Sequence, residues 1–440
     1  MASSLFVIDD SASATEKPLV DNGSPAYAPV SVLVERVSVS SKGLQGNSDS
    51  TAPSISSNGR YVAFYSGASN LVSGDTNNAS DVFVYDRSTD KVERVSISNN
   101  GTQANSDAYD PHISANGRYV AFYSNASNLV AGDTNATSDV FVYDRNTDKI
   151  ERISVSSNGT QANGYSFSPE LSSNGRYVAY GSWATNLVSG DTNGNSDIFV
   201  YDRNTDKVER VSLSSSGVQA NADAYDPSIS ADGRYVVYQS EASNLVAGDT
   251  NGVTDIFVYD RKTDTTERVS VASNGAQANS FSLGPEISAN GRYVTFYSDA
   301  SNLVPGDTNG MGDIFVYDRK TDTIERVSVA SNGAQANESS LAPDISSDGR
   351  YVTFHSWASN LVPGDTNDTA DIFVYDRNTD SIARASVSSN GTQGNGPSVV
   401  PAISDNGGYV AYSGWASNLV PKDTNNDSDV FVTRTYDLLV

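Results

Sequence analysis

One repeat of fixed length dominates this chain. The tripeptide Asp-Thr-Asn occurs seven times, and consecutive copies lie 58 residues apart. A period of this kind is typical of folds that grow by adding similar units, each of which packs on its neighbours. Repetition therefore explains how a chain of 440 residues can exceed the usual size of one compact domain without needing a single large core.

Each repeat contains four short segments that are typical of β-strands. In the second repeat they are 111–114, Tyr119–Ser124, Asp139–Asp144 and 150–155, which we call strands A to D. The segments are rich in β-branched and aromatic residues, and Asn-Gly or Asn-Thr-Asp turns separate them. No stretch has a helical period. The sequence therefore predicts an all-β protein.

The two ends of the repeat predict how the sheets are arranged. The first repeated segment, 34–39, matches strand D but has no strands A to C before it, and the last, 429–432, matches strand C but has no strand D after it. One sheet shared between the termini would close a ring and remove two open edges. We therefore predict a seven-bladed β-propeller of four-stranded blades at 32–434, preceded by a non-repeat arm at 1–31 and followed by a tail at 435–440.

The repeated core also resembles a known family. It reads Pro-x-Ile-Ser-x-[Asn/Asp]-Gly-Arg-Tyr-Val, followed by a strand with Val-Tyr-Asp. This core is similar to the TolB-type, WD40-like propeller repeat of bacterial proteins, over roughly residues 32–434. The resemblance implies a bacterial propeller that serves as a binding platform. TolB also carries a separate α/β domain without a counterpart here, so its envelope role is not implied.

Composition narrows the classes of partner. The net charge of −25 argues against binding to nucleic acid or to an anionic membrane. The absence of Cys excludes disulfides and thiolate metal sites. No segment is long and apolar enough to span a bilayer, and the N-terminus lacks a signal-peptide core. The ending 437–440 resembles that of some type I secretion substrates, although a frayed end is the alternative. We expect an extracellular or cell-surface protein.

The loop between strands B and C carries the first candidate site. Its pattern Asp-Thr-Asn-x-x-x-Asp places hard oxygen ligands at spacings that suit Ca²⁺. The alternative is that Asp and Asn cap a turn by bonding to their own backbone. Two Asp in each of seven loops would also repel one another without a cation. We predict calcium, up to one ion per blade, and the predicted ligands are Asp75, Asn77, Asp81, Asp133, Asn135, Asp139, Asp191, Asn193, Asp197, Asp249, Asn251, Asp255, Asp307, Asn309, Asp313, Asp365, Asn367, Asp371, Asp423, Asn425 and Asp429.

Aromatic residues form the second candidate site. Trp183, Trp357 and Trp415 occupy one repeat position just after strand B, where other repeats have Gly, Asn, Glu or Asp. A position this tolerant is unlike core, so the Trp side chains are predicted to bind a glycan or protein ligand, or else to cover their own loops. The loop from strand D to the next strand A is the least uniform part of the repeat. It should lie on the same face, and its large side chains are Tyr109, Tyr165, Phe167, Tyr225, Phe281, Leu341 and Val399.

The sequence predicts binding and not catalysis. An enzyme needs an asymmetric group of acid, base or nucleophile, and none stands out against the seven-fold background. His112 and His355 are interpreted as ordinary strand or loop residues, and the repeated Asp-Arg and Glu-Arg pairs as structural ion pairs. The prediction is a non-enzymatic, calcium-binding adhesion module for a glycan or protein. The alternatives are a structural subunit that self-assembles through the N-terminal arm or the C-terminal tail, and a polysaccharide-active enzyme that uses the central channel.

Overall fold

The computed structural model describes residues 32–439 and confirms the seven-bladed propeller. It contains seven four-stranded antiparallel sheets, one per blade, and within the described residues the only helical element is a 3₁₀ turn at Thr435–Asp437. The propeller fold that the resemblance to TolB-type repeats implied is also confirmed. The N-terminal arm at 1–31, and any assembly through it, lies outside the described residues. No helix in the range 32–439 is long and apolar enough to cross a membrane.

The strand bounds follow the repeat closely. Strand β1 is Val34–Arg36, and blades 1 to 3 contain β2 (Ser50–Ile55), β3 (Tyr61–Ser66), β4 (Asp81–Asp86), β5 (Lys91–Arg94), β6 (Ala108–Ile113), β7 (Tyr119–Ser124), β8 (Asp139–Asp144), β9 (Lys149–Arg152), β10 (Ser166–Leu171), β11 (Tyr177–Ser182), β12 (Asp197–Asp202) and β13 (Lys207–Arg210). Blades 4 to 7 contain β14 (Ala224–Ile229), β15 (Tyr235–Ser240), β16 (Asp255–Asp260), β17 (Thr265–Arg268), β18 (Ser282–Ile287), β19 (Tyr293–Ser298), β20 (Asp313–Asp318), β21 (Thr323–Arg326), β22 (Ser340–Ile345), β23 (Tyr351–Ser356), β24 (Asp371–Asp376), β25 (Ser381–Arg384), β26 (Ser398–Ile403), β27 (Tyr409–Gly414) and β28 (Asp429–Arg434).

The termini share blade 7, as predicted. Strand β1 pairs antiparallel with β28, and Val34 lies opposite Thr433. The sheet order is β1-β28-β27-β26, so the first strand of the repeat supplies strand D of the last blade. This pairing closes the ring, because it satisfies the backbone groups that an open C-terminal edge would expose.

Strand A differs from its predicted bounds. The sequence predicts that strand A starts at the Pro that recurs in every repeat, but the structure begins β6 at Ala108, three residues before Pro111. Pro fits inside this strand because the pairing with β7 shifts between Tyr109 and His112. Two residues of β6 there oppose one of β7, which is a β-bulge, and a bulge tolerates the missing N–H of Pro.

The core lies between blades and not within them. Each strand C is buried on both sides; in β8 every residue from Asp139 to Tyr143 is buried. Val82 and Val84 of blade 1 pack in one cluster with Phe122 and Phe141 of blade 2. Each blade therefore buries its apolar side chains against its neighbour, which is why a ring of such units is stable where a single unit is not.

An arginine joins each of blades 1 to 6 to the blade before it. Arg145, in the C–D turn of blade 2, lies 4.3 Å from the centre of the Tyr61 ring in blade 1, and its Nε donates to Glu93 at 2.5 Å. It also donates to the Gly117 carbonyl. Such a side chain combines a cation–π contact with charge-assisted hydrogen bonds.

The contact between blades 6 and 7 lacks this arginine. Thr435 stands at its position and Ala383 replaces the glutamate. The C-terminal tail covers the gap: Leu438 and Leu439 pack against the blade 7 core. A cavity of about 300 Å³ remains beside Tyr351 and Tyr436.

Candidate active site

The bulge in strand A shapes the central channel. The residue before Pro has a positive φ in every blade, for example 53° at Asp110, 48° at Asp226 and 51° at Val400. Positive φ is uncommon for residues other than Gly, and Val is among the least suited to it. Strained backbone of this kind is often kept where function requires it. In each blade, the bulge directs the side chains of the residues before and after Pro towards the channel.

The channel encloses a cavity of about 490 Å³, lined by strand A and the A–B turn of the blades. Its lining is not seven-fold symmetric. The residues before Pro are Ala52, Asp110, Ser168, Asp226, Gly284, Ala342 and Val400, and those after Pro are Ser54, His112, Glu170, Ser228, Glu286, Asp344 and Ala402. Titratable side chains at these two positions therefore belong to blades 2 to 6, while blades 1 and 7 carry Ala, Ser and Val. Among the described residues that line the cavity, His112 is the sole side chain that can be positively charged.

His112 and Glu170 form a hydrogen bond across the boundary of blades 2 and 3. His112 Nε2 lies 2.8 Å from Glu170 Oε2, and the Leu171 backbone N–H donates to His112 Nδ1 at 3.1 Å. Burial opposes a charge on His112, but Glu170 outweighs it and raises the pKa of the imidazole. Protonation would still require Nδ1 to give up its bond to Leu171. The geometry therefore assigns the neutral tautomer with the proton on Nε2.

Asp344 is held by two backbone donors. Its carboxylate accepts from Ile345 N and Ile403 N, both at 2.7 Å. Burial raises the pKa of Asp344 to about 7, although the two N–H groups favour the ionised form. Asp344 is therefore shifted towards the neutral acid, and the two backbone N–H groups hold its carboxyl group in place.

Glu286 and Asp110 are also shifted towards the neutral acid. Burial, followed by the charges of Glu170 and Asp344, raises the pKa of Glu286 well above its usual value. Asp110 is exposed to the channel, yet the surrounding strands remove much bulk water and raise its pKa to about 6. Several carboxyl groups that cannot all ionise together provide both proton donors and acceptors at one pH.

These findings correct two interpretations from the sequence. His112 is not an ordinary strand residue, because it joins a group of acids in the channel. The titratable side chains of the channel also form an asymmetric acid–base group, which the sequence did not indicate. A comparison of the seven copies of strand A could have revealed it, since the residue after an invariant Pro reads Ser, His, Glu, Ser, Glu, Asp and Ala. His355 fits its interpretation: it is 7% exposed, and burial lowers its pKa to about 4.

The Asp-Thr-Asn loops bind an arginine of strand D. In blade 3, Arg210 Nη1 lies 3.1 Å from Asp191 Oδ1 and 3.0 Å from Asp197 Oδ2. Ser212 Oγ donates to Asp197 Oδ1 at 2.5 Å, and Asn193 Nδ2 donates to Asp197 Oδ2 at 3.2 Å. The same arginine contact recurs in all seven loops, through Arg36, Arg94, Arg152, Arg210, Arg268, Arg326 and Arg384.

The arginine reduces the repulsion between the loop carboxylates, which was one of the reasons for predicting calcium. One guanidinium per loop offsets one of the two carboxylates, so the acidic loops do not need a metal ion to avoid full repulsion. Within residues 32–439 no group of three or more His, Cys, Asp or Glu side chains could hold a metal ion. Calcium at the loops stays a prediction, and the residues present also suit the alternative, in which Asp and Asn organise the turn.

The three Trp side chains lie on the face that carries the loops between strands B and C. They are exposed by 40% at Trp183, 43% at Trp357 and 43% at Trp415. The Trp183 backbone N–H donates to the Tyr165 carbonyl at 2.9 Å, so the loop after strand B meets the loop before strand A. Their role in ligand binding stays a prediction.

Seven aromatic rings on this face form a continuous arc over blades 1 to 4. We call the set Tyr65, Tyr109, Tyr123, Tyr165, Phe167, Tyr225 and Trp183 the aromatic arc. Successive ring centres lie 5.4, 5.6, 6.1, 5.3, 5.9 and 6.4 Å apart, where Trp183 contacts Tyr225 at the end of the series. Gly181 makes room for it, because a Cβ there would lie 2.5 Å from the Phe167 ring. Trp357 and Trp415 lie on blades 6 and 7, outside the arc.

Comparisons with known proteins support the fold. No family model and no curated protein sequence matches this chain. Oligogalacturonate lyase from Vibrio parahaemolyticus is similar in structure, with a TM-score of 0.52 and 12% identity over 93% of this chain and 92% of that one. An oligogalacturonate lyase in complex with manganese has a TM-score of 0.54 and 10% identity over 91% and 92% of the two chains. TolB from Acinetobacter baumannii matches with a TM-score of 0.40 and 14% identity over 81% and 76%.

These neighbours overturn the prediction of a non-enzymatic adhesion module. At such low identity the likeness shows the fold alone. The two lyases are enzymes, however, and they share this fold over nearly the full length of both chains. A peptidase, the Pyrococcus horikoshii acylaminoacyl peptidase, also matches, with a TM-score of 0.52 and 11% identity over 87% of this chain and 50% of that one. The prediction that the chain is not an enzyme is therefore wrong, and its premise fails as well, because the channel holds an asymmetric acid–base group.

Proposed function

We propose that this chain is a polysaccharide-active enzyme that carries out acid–base chemistry in its central channel. The observation that carries the proposal is the set of non-repeated titratable residues, His112, Glu170, Glu286 and Asp344, that strand A of blades 2, 3, 5 and 6 brings to one cavity. A seven-fold scaffold does not need these residues, since Ser or Ala occupies the same position in blades 1, 4 and 7.

The chemistry that fits is cleavage of a glycosidic bond by two carboxyl groups. Glu286, whose pKa is raised, would give its proton to the oxygen of the departing sugar. The carboxylate of Glu170 would take a proton from the water that attacks the sugar carbon. The carbon–oxygen bond to the departing sugar breaks, a bond to the water oxygen forms, and one proton moves at each carboxyl group. His112 would hold Glu170 in place through its Nε2–H.

A polysaccharide substrate would be met outside the cell, so this proposal includes an extracellular or cell-surface location. Calcium at the seven loops is a separate proposal that the channel chemistry does not require. The glycan that the sequence predicted as a partner of the loop face would then be the substrate.

The experiment is a reducing-end assay of the purified protein on neutral, amine-bearing and anionic polysaccharides. We expect turnover on at least one of them and a loss of 10²-fold or more in Glu286→Gln, the usual contribution of a general acid. Glu338→Gln is the matched control, since Glu338 is also non-repeated but lies exposed in a loop away from the channel. No turnover on any polysaccharide, or equal activity of the Glu286 variant and the control, would overturn the proposal.

A further inference from the structure

The aromatic arc and the channel acids lie along the same strands. In β6, Tyr109 of the arc comes directly before Asp110, and in β14, Tyr225 comes directly before Asp226. Both Asp side chains are exposed and line the cavity. In blades 2 and 4, therefore, the residue that follows an aromatic ring of the arc carries a carboxyl group that lines the channel.

The arc is one-sided and partly accessible. Tyr165 and Trp183 expose 38% and 40% of their surface. Among the described residues, the ring pair Phe281 and Tyr297 in blade 5 has no ring contact with the arc. An extended ligand that stacks on the rings would thus cross blades 1 to 4 and reach the channel from one direction.

The face around the arc is negatively charged. Burial, followed by the nearby Asp107, raises the pKa of Tyr109, and burial with the nearby Asp223 does the same for Tyr225. Below the arc the channel carries Asp and Glu side chains with His112 as its one possible cation among the described lining residues. A sugar ring offers a C–H face to an aromatic ring, but a carboxylated sugar would be repelled here, whereas a protonated amine would be attracted both by the carboxylates and by the ring faces.

We propose that the aromatic arc is a stacking platform that guides an amine-bearing polysaccharide into the channel. This inference rests on the proposed function for the fate of the ligand, but binding itself can be measured without turnover. The substrate class that follows is a polymer of amino sugars, and polyuronates are excluded by charge.

The test measures binding by calorimetry with three soluble probes. They are a deacetylated chitin oligosaccharide, its fully acetylated counterpart with the same backbone, and an oligogalacturonate of similar length. We expect the amine-bearing probe to bind roughly tenfold or more tighter than the acetylated one, with an affinity that falls as salt rises, and no binding of the anionic probe. Equal binding of the amine-bearing and acetylated probes, or preference for the anionic one, would overturn the substrate class.

The chain supplies matched controls for the platform. Trp183→Ala and Tyr165→Ala lie in the arc and should each weaken binding roughly five- to tenfold, the range for loss of one aromatic contact. Tyr436→Ala removes a ring that is 56% exposed and lies outside the arc, and it should change binding less than twofold. Equal losses in all three variants, or none in the arc variants, would overturn the platform. Binding with these properties but without turnover of any polysaccharide would remove the proposed enzyme and leave the platform intact.

Discussion

His112 Nε2 lies 2.8 Å from Glu170 Oε2, so an imidazole of blade 2 donates to a carboxylate of blade 3 inside the channel. His112 has no counterpart at this repeat position in another blade, and Glu170 has one, Glu286 in blade 5. The contact is therefore a departure from the repeat at the place where the seven blades converge, and it can be tested apart from the fold.

Replacement of His112 should separate a chemical role from a structural one. His112→Asn keeps an acceptor for the Leu171 N–H, and His112→Gln keeps a donor towards Glu170. If the imidazole positions and polarises Glu170, turnover should fall by about 10²-fold or more in both variants, and the pH dependence of kcat/KM should change. Ser54→Ala is the control, because Ser54 Oγ accepts the equivalent bond from Ile113 N at 3.0 Å without a titratable group. Full activity of the Asn variant would limit His112 to its backbone contact.

The stability of the protein should fall between about pH 4 and pH 7. Asp344, Glu286 and Asp110 have raised pKa values in the folded state, so the folded chain binds protons more tightly than the unfolded one. Their contribution is complete below the ordinary carboxyl pKa of about 4 and is lost as the pH rises through their folded values. Thermal midpoints recorded across this range should decrease, and Glu286→Gln should flatten the decrease. A midpoint that rises over the same range would contradict this prediction.

Below this range the opposite trend should appear. The pKa of Asp202 is lowered to about 2, chiefly by its hydrogen bond to Arg176. A lowered carboxyl pKa contributes stability above about 4 that is lost as the pH falls through the folded value. The pH of maximum stability should therefore lie near the lower end of the range from 4 to 7.

Tyr180→Phe should stabilise the protein. Tyr180 is fully buried, and within the described residues its hydroxyl has no hydrogen-bond partner. Phe64 and Phe122 occupy the same repeat position and show that Phe fits there. Removing an unpaired buried hydroxyl should raise the free energy of unfolding by about 1 kcal/mol, measured by urea denaturation. The control is Tyr412→Phe, since the Tyr412 hydroxyl lies 3.2 Å from Thr433 Oγ1, and this variant should lose stability.

Arg210→Met should cost about 3 kcal/mol or more of unfolding free energy. It leaves Asp191 and Asp197 without the guanidinium that joins them, and a buried charge without its partner is expensive. Arg176→Met is the control: Arg176 makes a bidentate pair with Asp202, but its side chain is 37% exposed, so solvent screens the pair and the loss should be much smaller. Equal losses in the two variants would show that burial of the loop ion pair adds nothing to the free energy of unfolding.

Calcium bound at the loops would share the same carboxylates with the arginine. If the proposed calcium is bound, a chelator should lower the thermal midpoint of the wild type, and calcium but not magnesium should restore it. A wild-type midpoint that a chelator leaves unchanged would show that the arginine alone, and not a metal ion, holds the Asp-Thr-Asn loops.

The strands and the ring could be predicted because they depend on local chemistry that is repeated. Strands such as Asp139–Asp144 have bounds that match the prediction, since their β-branched and aromatic residues and flanking turns recur in every blade. The unpaired strand D at the start and the unpaired strand C at the end were enough to predict closure of blade 7, because an open sheet edge is unfavourable.

The candidate site could not be predicted in the same way. Asp344 and Glu170 are far apart in sequence, and the sequence does not reveal that strand A bulges at Pro and turns its neighbouring side chains towards one channel. The loop carboxylates show the same limit, because Arg210 lies 13 residues beyond Asp197 and reaches it only through the pairing of strands C and D. The repeat, the strands and the closed ring can be read from the amino-acid sequence, since they follow from local propensity and periodicity. Which charged groups meet depends on the packing of the blades, because burial and distance set the charge states and both arise when the blades come together.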